Sequence, residues 1–255
     1  MKHDFIDKYG TLSSPLHRLD PRVKIVCLFL AIVVIASEPL TSAIVPFLLY
    51  LVVVVSLTLI SGVPFRYVIV RLLVASPFIV VAALFFSFTL YLTGGDGGPG
   101  SPETFIMPGV VIFSRAVLSV WLLILLTSTE RFRRLLEGMR GLRLPPAVTT
   151  ISALLYRYLF IIYDEVLRTT RARESRTPGR LRINRFRVYG NQLALIFIRS
   201  WDRSHTVYRS MLSRGFKGDF PGMQRLEAGW NDLVFAPLFL SVMIIIRIRA
   251  WERLI

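Results

Sequence analysis

The 255-residue chain has a single cysteine, Cys27, which excludes a disulfide framework or a cysteine-based metal site within it. Its three histidines, His3, His17 and His205, stand far apart and have no metal-ligand spacing. Charged residues make up only 18% of the chain, against roughly 25% in ordinary soluble domains. A purely soluble enzyme is thereby excluded. No HExxH, GxSxG or Walker-type glycine loop occurs, so the chain is expected not to hydrolyse nucleotide itself. The N-terminus, with His3, Asp4 and Asp7 ahead of Pro15, lacks the basic-then-apolar layout of a cleaved signal peptide. The first apolar segment is expected to act as its own insertion signal.

Hydrophobic residues, by contrast, reach 54%, with a mean hydropathy of +0.58. They cluster in five stretches, 23–36, 43–60, 72–92, 110–127 and 233–246, that contain almost no charge. Runs near 20 apolar residues match a hydrocarbon core of about 30 Å. The expected fold is an all-α polytopic membrane protein with about five spans. Its divisions are a polar N-terminal segment (1–22), a four-span bundle (23–127), a cytoplasmic region (128–231), and a C-terminal span with its tail (232–255). Asp20 followed by Pro21 reads as the cap and first position of the opening helix.

Net charge is +15, and it is unevenly placed. Between residues 129 and 218 stand 18 Arg and one Lys against six acids, which accounts for +13 of the total. Such a segment reads as cytoplasmic by the positive-inside rule, and membrane embedding argues against a nucleic-acid partner. The segment 93–109 contains no Lys or Arg and is rich in Gly and Pro, so it is expected to be an external loop, with the N-terminus inside. Five spans would then leave Arg247, Arg249 and Arg253 on the outside, in conflict with the same rule.

The basic region shows helical periodicity. Apolar residues fall at 151, 154, 155, 158, 159, 162 and 166, with Arg157, Asp164, Arg168 and Arg171 on the opposite face. Its apolar core of about 12 residues is short for a span. A second amphipathic helix is expected over 190–213, with Leu193, Phe197, Val207, Tyr208 and Met211 on one side. Arg199, Asp202, Arg203, Arg209 and Ser210 fall on the other. Thr177-Pro178-Gly179 breaks the chain between the two. Each helix closes with a small residue before an arginine, Ala172-Arg173-Glu174 and Ser213-Arg214-Gly215. A cation there suits the helix dipole, and a small neighbour allows close approach to another surface. Within the clear spans Lys24, at the edge of the first, is the lone Asp, Glu, Lys or His, which makes the bundle a poor ion pathway by itself.

Three segments carry a family resemblance: 14–24 (SPLHRLDPRVK), Tyr156-Arg-Tyr-Leu-Phe160 with Glu165, and 209–218 (RSMLSRGFKG). They resemble the transmembrane T component of energy-coupling-factor transporters, closest to the CbiQ type of cobalt and nickel systems. The resemblance covers nearly the whole chain, and Met-x-x-Arg-Gly-Phe-x-Gly is its most specific part. It implies a non-catalytic scaffold in the plasma membrane of a prokaryote, without cofactor. Its partners would be membrane lipid, two cytoplasmic ATP-binding-cassette ATPases and a separate substrate-capturing membrane subunit. It also implies that two Ala-Arg-Gly-type motifs dock into the ATPases. On this chain they fall on Ser213-Arg214-Gly215 and on Ala172-Arg173-Glu174, with Arg176 as an alternate for Arg173. Tyr156, Arg157 and Glu165 would stabilise packing of the coupling helices. The substrate could be cobalt, nickel or a vitamin. Two further classes are a self-sufficient secondary carrier, disfavoured by the missing mid-membrane ionisable groups, and a lipid-phosphate enzyme, for which no paired base or metal ligands are present.

Overall fold

A computed structural model describes residues 14–39, 44–93, 102–176, 185–218 and 229–252. The described residues are almost wholly helical. A short 3-10 turn over Pro15–Arg18 precedes α1 (Pro21–Ala36), α2 (Ile44–Ser61), α3 (Phe65–Thr93) and α4 (Pro102–Thr129). Then follow α5 (Phe132–Gly141), α6 (Pro146–Arg176), α7 (Arg185–Ser213) and α8 (Trp230–Glu252). Each of the five apolar stretches is helical, as the composition requires of backbone that must satisfy its own hydrogen bonds in lipid. The fold is that of an all-α membrane protein. Among the described residues three helices, Phe65–Leu92, Ile106–Thr129 and Pro146–Arg176, are long and apolar enough to cross a membrane. Val45–Ser61 is a shorter apolar helix.

Several elements differ from the sequence expectation. The external loop expected over 93–109 is shorter, because α4 starts at Pro102, whose ring suits a first helical turn. Residues 94–101 and the Thr177-Pro178-Gly179 break lie outside the described residues. The first amphipathic helix starts at Pro146 rather than 151 and runs for 31 residues, which gives it the length of a span. α5 was not expected at all.

The chain divides into two compact units. The first comprises α1–α5 and α8. Its core is built from Cys27, Leu28, Ala31 and Ile35 of α1, Tyr50, Val54 and Leu57 of α2, Leu118, Leu122 and Leu125 of α4, and Phe239 and Met243 of α8. α3 packs most extensively on α4. Their approach is close at Gly109, where an added Cβ would stand 2.6 Å from the Ser87 hydroxyl. Small residues at a helix contact serve association in lipid, where burial of apolar area offers no gain. The outward side of α3 carries Phe78, 81% exposed, and Val74, 79% exposed, a surface suited to acyl chains rather than water. Pro77 inside α3 cannot donate to Leu73, and the Ser76 hydroxyl bonds that carbonyl instead, at 2.9 Å.

Polar groups fix both ends of α1. Asp20 caps it, accepting from the Arg22 N–H at 2.8 Å, as expected from the sequence. The Asp20 N–H donates to Asp232 of α8 at 2.7 Å, and Asp232 also accepts from the Gly229 N–H at 2.7 Å. Lys24, fully buried, pairs with buried Glu130 at the α4–α5 joint. Arg134 approaches the other Glu130 oxygen at 3.9 Å and donates to the His17 carbonyl at 3.3 Å. At the other end, buried Glu38 accepts from the Tyr50 hydroxyl at 2.8 Å and from Arg247 of α8 at 2.6 Å. Arg247 also donates to the Ser37 carbonyl at 2.9 Å. The conflict posed by Arg247 thus weakens, since its charge is matched within the protein.

The candidate coupling helices

The second unit contains α6 and α7. They lie antiparallel, as contacts between Thr169 and Gln192, and between Glu165 and Arg199, require. Their polar halves are joined and their apolar halves stand apart. Between the latter is a groove of about 640 Å³ lined by Ile151, Leu155, Tyr158 and Ile162 of α6 and by Val207 and Met211 of α7. Ile151 is 63% exposed and Leu155 62%, so α7 does not close over this apolar wall.

The α6 face read from the sequence lines this groove. The α7 face is divided: Val207, Tyr208 and Met211 line the groove too, but its N-terminal part does not. Arg199 and Arg203 line the side toward α6, whereas Leu193 and Phe197 are 66% and 68% exposed. The reason is electrostatic. Glu165 stands on the α7-facing stripe of α6, and Arg199 meets it at 2.5 Å. Apolar periodicity alone cannot register that demand. Ile196, one turn ahead of Ser200, is the buried apolar residue of α7. Glu165 therefore joins the two helices, and Tyr156 packs edge-on against Phe160 with centroids 5.1 Å apart.

The α7 tip has a defined construction. Gly215, at φ +78°, takes the left-handed conformation that ends a helix. Its N–H bonds the Leu212 carbonyl at 2.9 Å, and the Phe216 N–H bonds the Met211 carbonyl at 3.0 Å. These two bonds form a Schellman motif. Arg214 sits between them with its side chain exposed, and Ser213 turns its hydroxyl back to the Ser210 carbonyl at 3.0 Å. The result is a fixed backbone presenting one guanidinium at the negative end of the helix dipole.

The α6 tip is different. Ala172, Glu174 and Arg176 are exposed, but Arg173 is engaged. It donates to Gln192 at 3.1 Å, lies over the Tyr189 ring at 4.7 Å, and has Glu174 at 3.8 Å. The two arginine motifs stand at opposite ends of the α6–α7 pair, Arg173 beside the start of α7 and Arg214 at its finish. Gln192 and Tyr189 carried no motif signal, and their role is visible only where α7 folds back on α6. Among the described residues no three His, Cys, Asp or Glu side chains gather to hold a metal ion.

Comparison with known proteins places this arrangement. Residues 12–225 match the family described as cobalt transport protein, CbiQ. An uncharacterized protein of Methanocaldococcus jannaschii is 24% identical over 98% of this chain and 87% of its own length. The energy-coupling factor transporter transmembrane protein EcfT of Listeria innocua is 28% identical over 86% of each chain. The cobalt transport protein CbiQ of Rhodobacter capsulatus is 28% identical over 37% of this chain and 38% of its own. With most of its length matched and its apolar helices in place, the chain belongs to the CbiQ cobalt transport family, as a non-enzymatic membrane component of a transporter.

Proposed function

We propose that the chain is the coupling subunit of an ATP-driven importer in the plasma membrane of a prokaryote, carrying force from two ATP-binding-cassette ATPases to a separate substrate-capturing membrane subunit. The cargo is a cobalt or nickel ion. The observation that carries this reading is the α7 tip, where Gly215 and its two capping bonds hold an exposed Arg214 on a rigid backbone. A guanidinium so placed is a docking element. It needs an acceptor, and among the described residues no ion pair meets it at that tip.

α6 and α7 act as coupling helices on the cytoplasmic side. Arg214 and Arg173 engage one ATPase each, with Arg176 as the alternate to Arg173 at the end of α6. The apolar groove between Ile151 and Met211 receives a helix of the capture subunit, whose apolar face would fill the space α7 leaves open along α6. Closing of the ATPases moves the two tips, and the groove reorients its occupant. The chain supplies neither nucleotide chemistry nor a substrate site.

The reading predicts composition. Purified in mild detergent from its own source, the chain should carry two ATPase polypeptides and one further membrane protein, identified by mass spectrometry. Purified alone it should hydrolyse no ATP, whereas the assembly should. ATP turnover that stays with the isolated chain through every purification step would contradict the scaffold role.

A further inference from the structure

We propose that Gln192 is the residue that positions Arg173, fastening the end of α6 to the start of α7 as one rigid tip; this rests on the reading of Arg173 as a docking residue. The Gln192 amide is almost fully used. Its Nε2 donates to the Thr169 hydroxyl at 3.0 Å and to the Thr170 hydroxyl at 2.9 Å. Its Oε1 accepts from Arg173 Nη1 at 3.1 Å. The orientation of the amide follows from its partners, because a guanidinium offers donors only and must face the oxygen. The Thr169 hydroxyl spends its own proton on the Glu165 carbonyl at 2.9 Å, which leaves its lone pairs for Gln192.

The guanidinium is thereby held on three sides. Gln192 fixes one edge, the Tyr189 ring supports its face at 4.7 Å, and Glu174 stands at 3.8 Å. Arg173 lies one turn beyond Thr169 on the stripe of α6 that meets α7. Arg168, Arg171 and Arg176 are exposed and lie off this contact. A long side chain already held in one rotamer gives up less entropy when it docks. The fastening has a mechanical consequence as well. A load applied at Arg173 enters α7 through Gln192 and Tyr189, and α7 bears Arg214 at its other end. Both docking points then act on one body.

The test uses the purified assembly of this chain with its ATPases and capture subunit. Spin labels are placed at the exposed positions 172 and 191 after Cys27→Ser, and the inter-label distance distribution is recorded beside ATPase retention. Gln192→Leu should broaden the distribution and reduce retention about two- to tenfold. Gln192→Glu should keep both nearer wild type than Gln192→Leu does, since its carboxylate still accepts from Arg173 although it no longer donates to the two threonine hydroxyls. Thr170→Val removes one bond of the three and should give the Leu pattern at smaller amplitude, carrying the test if Gln192→Leu does not assemble. A distribution that stays narrow in Gln192→Leu, full retention despite a broadened tip, or an equal loss in Gln192→Glu would overturn the proposal. Full ATPase retention by Arg173→Leu would overturn the docking role of Arg173, whereas the fastening stands or falls on the distance distribution.

Discussion

Arg214→Glu should abolish transport and strip the ATPases from the assembly, with membrane expression unchanged. Docked in a groove, the guanidinium is desolvated and depends on its acceptor. Truncation at such a buried charged pair costs about 2–5 kcal/mol, and reversal of the charge costs more. A solvated arginine among eighteen in its region would cost roughly 0–1 kcal/mol. The two cases are thus separated by about 1–5 kcal/mol for truncation, roughly fivefold to several thousandfold in binding at about 1.4 kcal/mol per tenfold, and by more for the reversed charge. Fold damage does not confuse the result, because the Arg214 side chain is exposed and the tip is closed by backbone bonds from Arg214, Gly215 and Phe216 that a new side chain leaves in place. Arg173→Glu should weaken association less, since Glu174 stands in place of the motif glycine. Arg180→Glu, in the segment between the helices, should have little effect. Retention of the capture subunit in each variant serves as the control.

Glu130→Gln should produce the largest loss of stability. Lys24 is fully buried and Glu130 is 3% exposed, with Arg134 as a second, longer partner. Removing one member of a buried pair leaves the other charge uncompensated and costs about 3–5 kcal/mol. Thermal unfolding in detergent should show the loss for Glu130→Gln and for Lys24→Met alike. The double variant Lys24→Met/Glu130→Met should recover most of it, because two apolar groups of similar shape need no partner. Additive losses in the double variant would show that the two residues do not act as a pair.

What the sequence disclosed, and what it hid, divides along the range of the interactions. The apolar runs, the Asp20 cap and the Gly215 stop are local, and each was legible from composition or from a few adjacent residues. The polar ties are not local. Lys24 meets Glu130, and Arg247 meets Glu38 more than two hundred residues away, with no spacing to announce either. α5 escaped notice for another reason. Its apolar residues Phe132, Leu135, Leu136 and Met139 do fall at helical spacing, but over only ten residues within an arginine-rich run, and its buried residues are Leu136, Glu137 and Gly138. On α7, hydrophobic periodicity put Leu193 and Phe197 on the apolar side and Arg199 on the other, and it is Arg199 that meets Glu165 of α6. The candidate site shows the same division. Both arginine motifs could be read from sequence, but the hold of Gln192 and Tyr189 on Arg173 required the two helices to be seen side by side.

The central claim is that this chain transmits work and supplies neither the energy nor the substrate site. Uptake of cobalt(II) into proteoliposomes tests it most directly, with the chain reconstituted alone, with the ATPases, and with the ATPases and capture subunit together. Accumulation driven by ATP should appear in the complete assembly and in neither of the others. Accumulation of cobalt by the chain alone, without nucleotide, would contradict the account and mark the protein as a self-sufficient carrier.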